Sequence, residues 1–184
     1  MKNTLRSVAV FPVAGFVSGL CSGLTVIVQP LGAILPGVIF GAAISHAVHT
    51  SMKPLSSSQR SLLIVGSTVA YVVSIVVSLL SVRLPGFDND FLSGAISGAI
   101  AGAAGAFVVA LSLVVVVEDL RSEYMVCAVA FTGAVFGSLF VVVGVYISDH
   151  TAVGQPFDDI VAFPLWQVGV ASAIPLFRVR SSPR

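Results

Sequence analysis

Residues 91–117 read FLSGAISGAIAGAAGAFVVALSLVVVV, with no charged side chain in 27 positions. Gly94, Gly98, Gly102, Ala106 and Ala110 recur at every fourth position. Ser93, Ser97, Ala101 and Gly105 form a second row beside them. As a helix the stretch is about 40 Å long at ~1.5 Å per residue. That exceeds the roughly 30 Å hydrocarbon core of a bilayer, so the helix must tilt, kink or protrude. Glycine costs a water-exposed helix about 1 kcal/mol against alanine. In lipid the backbone bonds must close within the segment, and a row of small residues lets a neighbouring backbone come close. The stretch therefore reads as a central transmembrane helix gripped by its neighbours, on its Gly94/Gly98/Gly102 face.

The rest of the chain extends this reading. Of 184 residues, 57% are hydrophobic and 9% charged, against about 25% charged in soluble domains. Apolar runs of about 20 residues repeat along the whole length, which a soluble core cannot hide. The expected fold is all-α: a polytopic membrane protein, one transmembrane domain over residues 1–184. Its six helices are expected at about 7–28, 31–48, 61–82, 91–117, 125–147 and 160–177. The N-terminal run from Ser7 to Val28 is longer than a signal-peptide core, and another span follows it, so it reads as a retained helix. Gln29-Pro30 with Gly32 marks the turn into helix 2, where Pro36 is placed to kink. Tyr124 and Tyr146 stand about 33 Å apart on helix 5, the spacing of an aromatic belt.

Six spans put both termini on one side. Lys2, Arg6, Lys53, Arg60, Arg121, Arg178, Arg180 and Arg184 then share that side, and Arg83 alone lies opposite. The positive-inside rule makes it cytoplasmic, in the plasma or inner membrane. Two halves of three helices would make any internal repeat inverted. The best match pairs Gly37-Val38-Ile39-Phe40-Gly41 with Gly133-Ala134-Val135-Phe136-Gly137.

Small-residue rows recur in most spans. Gly15, Gly19 and Gly23 mark helix 1, Gly37 and Gly41 helix 2, Gly94, Gly98 and Gly102 helix 4, and Gly133 and Gly137 helix 5. They serve helix packing within the monomer or docking of another subunit. Cys21 and Cys127 read as small core residues at different depths, not as a disulfide or metal pair.

No Asp, Glu, Lys or Arg falls inside any of the six expected spans. Intramembrane charges mark proton relays and ion paths, so their absence argues against a proton-driven pump. No catalytic motif or phosphate-binding loop occurs, so an enzyme is not expected. No cofactor or metal is expected either. His46 and His49 share a helix face, but two ligands make no closed metal site, and an interfacial pair at a helix C-terminus is the plainer reading. Candidate ligand-binding residues are Gln29, Thr25, Tyr146, Trp166 and Gln167, which could line an outward pocket. Gln167 could equally hydrogen-bond a neighbouring helix. Asp88, Asp90, Asp149, Asp158 and Asp159 with His150 could gather cations in the outer loops, or simply be solvated.

Two functions follow as expectations. One is a small transporter, or transporter subunit, for an uncharged or weakly polar solute. The other is a structural or assembly protein that docks another membrane subunit through small-residue helix faces. The expected partners are the lipid bilayer and another membrane subunit or a second copy. The net charge of +1 leaves no nucleic-acid footprint.

Overall fold

A computed structural model describes residues 2–26, 32, 34–81, 90–150 and 156–177. They form six α-helices: α1 (Lys2–Val26), α2 (Leu35–Ser51), α3 (Ser57–Ser81), α4 (Asp90–Val116), α5 (Glu123–His150) and α6 (Pro156–Ala173). Among the described residues four helical stretches are long and apolar enough to cross a membrane: Ser57–Ser81, Phe91–Val116, Tyr124–Ser148 and Ile160–Phe177. Helix α1 adds a shorter apolar stretch, Ala9–Thr25. The chain is a helical membrane protein.

Local chemistry sets the helix ends. The Ser56 hydroxyl accepts from Gln59 N at 3.3 Å, and Gln59 Oε1 accepts from Ser56 N at 3.0 Å. This reciprocal cap starts α3 at Ser57, four residues before the apolar run. Helix α2 starts at Leu35, so Pro36 falls in its first turn. Its missing N–H is harmless there, and it does not kink the helix interior as the sequence suggested. Pro164 does lie inside α6.

Each helix packs on its neighbours in the chain, and α6 returns to pack on α1, closing a ring. Neighbours run antiparallel. Gly98 meets Gly137 and Gly102 meets Gly133 on α4 and α5. Gly37 meets Thr68 and Gly41 meets Ile64 on α2 and α3. Gly15 meets Gln167 and Gly19 meets Pro164 on α1 and α6. In every pair one number rises as the other falls.

These three contacts are backbone against backbone. A Cβ on Gly15 would stand 2.6 Å from Gln167 O, one on Gly37 2.6 Å from Thr68 Cα, and one on Gly102 2.9 Å from Gly137 Cα. The ring is thus three clamped pairs, α1–α6, α2–α3 and α4–α5. The glycines of α2 face the next helix, whereas those of α5 face the preceding one. The two matched sequence segments therefore do not occupy equivalent positions in an inverted pair of halves.

Burial is uneven. In α6, 56% of the apolar stretch is buried and in α4 44%, against 17% in α3 and in α5. The shortest apolar span is the most enclosed. On α3, Leu62, Val65, Val69, Val72, Val76 and Leu79 form an exposed apolar row at helical spacing. The cysteines depart from the core reading, since Cys21 and Cys127 are both exposed and free.

Most of the large, fully buried apolar side chains gather at one end of the bundle, Phe40 near the other end of α2 excepted. Phe11, Val48, Leu113, Leu120, Met125 and Ile174 meet there, near the start of α1, α3 and α5 and the end of α2, α4 and α6. Lys53, Arg60 and Arg121 lie at the same end.

Candidate functional site

Beyond that filled end lies a partly open cavity of about 200 Å³ between α3, α4, α5 and α6. Tyr71, Phe140 and Trp166 line it. Each lies ten residues from the far end of its helix, at Ser81, His150 and Pro156 respectively, or about 15 Å of helical rise. Four helices thus bring residues of one depth together, although those residues are far apart in sequence.

Small residues make one wall: Gly98 and Gly102 from α4 and Gly137 from α5. Aromatic rings make another. Phe163 meets Phe140 edge-on at 5.4 Å and 90°, and Tyr71 lies 6.0 Å from Phe163 at 42°. Trp166 is held from behind by Phe40 of α2, with ring centroids 5.7 Å apart. Hydroxyls supply the polar part. Ser74 Oγ donates to Ala70 O at 3.0 Å, leaving its lone pairs to accept. Ser78 and Ser81 share hydrogen bonds with the buried Ser97 at 3.3 and 2.6 Å, tying α3 to α4. The indole Nε1 of Trp166 is buried and has no hydrogen-bond partner. No ionisable group other than the Tyr71 phenol lines the cavity.

The residues singled out from sequence are placed as follows. Trp166 lines the cavity. Gln167, next in sequence, points elsewhere and is 2% exposed. Its Oε1 accepts from Ser18 Oγ at 2.6 Å and its Nε2 donates to Ser22 Oγ at 2.9 Å. That network joins α6 to α1, and Ser22 Oγ stands 3.5 Å from Pro36 O of α2. Thr25 donates to Ser22 O within its own helix at 2.8 Å. Tyr146 is 63% exposed. Gln29 and Asp88 lie outside the described residues, as do the side chains of Asp90, Asp149, His150, Asp158 and Asp159. Among the described candidates, Trp166 alone lines the cavity, and Thr25, Tyr146 and Gln167 lie elsewhere. The cavity's other walls, Tyr71, Ser74, Phe140 and Phe163, went unrecognised in the sequence, where they look like ordinary span residues.

His46 is exposed. His49 Nδ1 accepts from Leu55 N at 2.8 Å, and Arg60 Nη2 lies 3.0 Å from each of the ring nitrogens. The ring is thus engaged in the α2–α3 connection. Among the described residues no three His, Cys, Asp or Glu side chains are grouped to hold a metal. Gly23 is buried, and Gly94 faces Val141 of α5.

A second hollow lies between α1, α5 and α6, lined by Phe16, Phe136, Pro164 and other apolar side chains alone. It offers no polar group to orient a ligand. No protein family, characterised protein or solved structure is significantly similar to this chain.

Proposed function

We propose that the protein spans the membrane six times and binds a small uncharged or weakly polar solute in the α3–α6 cavity, as a transporter or the solute-binding subunit of one. The observation that carries this is the cavity itself: aromatic and hydroxyl groups converge at one depth among four helices, with no charge. Pockets of that make-up, mostly apolar with a few placed polar groups, are the usual small-molecule sites. At about 200 Å³ the cavity is smaller than the roughly 300–1,000 Å³ pockets that take drug-sized ligands.

The basic residues Lys53, Arg60 and Arg121 cluster at the filled end. By the positive-inside rule this end is cytoplasmic. The solute would then enter from the outer side, and the packed end would bar its passage until the helices rearrange.

The assembly reading is weaker on one count. The glycine rows it relies on are occupied within the chain, at the α1–α6, α2–α3 and α4–α5 contacts. The test is a melting screen of the detergent-purified chain against uncharged metabolites, read together with the emission of Trp166, the chain's single tryptophan. A solute that raises the midpoint and shifts the emission supports solute binding. A silent screen, with a second protein co-purifying in fixed ratio, would transfer the case to assembly.

A further inference from the structure

Two glycines bring α6 close to both of its neighbours. Gly19 lets the Pro164 backbone seat on α1, and Gly169 lets the Phe136 ring of α5 lie against α6. Phe16 and Leu20 of α1 and Phe136 of α5 then wall the apolar hollow between these helices, which holds about 450 Å³. Its lining follows α6 from Ile160 to Val168, about 12 Å of helical rise. That volume over that length gives a cross-section of roughly 40 Å². A helix of about 10–12 Å diameter needs about twice that or more. A span from a second copy therefore does not fit the hollow, whereas an extended hydrocarbon chain does.

The chemistry of the lining selects the occupant. The hollow exposes no polar atom. Water finds no partner there, and purely apolar cavities stay dry. A solute with hydrogen-bonding groups would leave them unpaired. The rim is continuous with exposed apolar surface: Phe16 and Val161 are themselves exposed, as are Val13 and Val17 on α1 and Val135 and Leu139 on α5. In a helical membrane protein that surface meets lipid. Ile160 lies four residues from the start of α6 at Pro156, so the hollow runs inward from one face of the membrane.

We propose that the hollow is a binding site for an acyl chain of a membrane phospholipid, held by helices on three sides. An unfilled hollow forfeits dispersion contacts along its walls, and a flexible chain restores them. Chain binding here does not depend on solute binding in the α3–α6 cavity.

The test places the full chain in nanodiscs of dioleoylphosphatidylcholine containing a phosphatidylcholine with a diazirine halfway along one chain. After illumination, peptide mass spectrometry reads the labelling of each residue. Val69, Val72 and Val76 on the exposed face of α3 serve as a control at similar depth. Phe16, Leu20, Phe136 and residues 160–168 should be labelled about twofold or more above that control, because a chain walled on three sides meets more atoms than one lying on an open face. Leu20→Trp should fill the hollow and bring its labelling down to the control level, with α3 unchanged. Equal labelling of hollow and control in the native chain overturns the site, as does an unlabelled hollow beside a labelled α3. An excess that survives in the folded Leu20→Trp variant overturns it too. Should that variant not fold, Val161→Trp on the exposed rim takes its place, and if neither folds the native ratio decides alone.

Discussion

Ser18 Oγ donates to Gln167 Oε1 at 2.6 Å across the contact of α1 and α6. The amide's other end donates to Ser22, so one buried side chain holds two hydroxyls of one neighbouring helix. Polar contacts between membrane helices average about 0.6 kcal/mol and reach about 1.7. Gln167→Ala should therefore lower stability by about 1–2 kcal/mol in a denaturant titration in mixed micelles. It should leave the affinity for any cavity solute within about twofold, a change of about 0.4 kcal/mol. A large affinity loss at unchanged stability would return Gln167 to the binding site.

The glycines divide sharply. A Cβ on Gly102 would collide with the Gly133 carbonyl and lie 2.9 Å from Gly137 Cα, whereas Gly144 has nothing within 4 Å. Gly102→Ala should cost about 1–3 kcal/mol or more through overpacking. Gly144→Ala should be neutral, or stabilise by up to about 1 kcal/mol from helix propensity. Thermal midpoints of the two variants, measured side by side, check this ordering.

Trp166 combines a packed ring with an orphaned donor. Trp166→Phe removes the unpaired N–H and keeps a ring against Phe40. Its stability should lie within about 1 kcal/mol of the parent, the lost contacts offset by relief of the buried donor. Trp166→Ala should cost about 3–5 kcal/mol. Circular-dichroism melts give both values without depending on indole emission. A Phe variant as damaged as the Ala variant would show that the N–H is satisfied.

At the other end, Gln59 Oε1 and the Ser56 hydroxyl cap α3 reciprocally. Gln59 Nε2 also reaches Val116 O of α4 at 3.4 Å. Gln59→Ala should cost about 0.5–2 kcal/mol, as loss of a helix cap does. Amide exchange should rise in the first turn of α3 and leave the cavity residues unaffected.

How much of this was legible follows from period and distance. An uncharged run of 27 residues announces α4, because length and apolarity are local properties. The small rows were visible as rows, but not their partners. Whether Gly37 faces α1 or α3 depends on the crossing of helices, which spacing does not encode. The Ser56–Gln59 cap was readable as a motif, yet the apolar run drew the start of α3 to Ser61. Gln167 drew attention as a polar residue in a span. The structure satisfies it with Ser18 and Ser22, some 145–149 positions away. The cavity was least legible, since Ser74, Phe140 and Phe163 acquire meaning only when four helices set them at one depth.

The α1–α6 clamp also bears on how the molecule is made. On the six-span reading, the α1 face of Gly15, Ser18, Gly19 and Ser22 waits through most of translation for its α6 partners Pro164 and Gln167, which lie some 145–152 positions further along. Until α6 inserts, the nascent chain carries an adhesive stripe that any passing span could grasp. The ring is complete only when its last segment closes on its first.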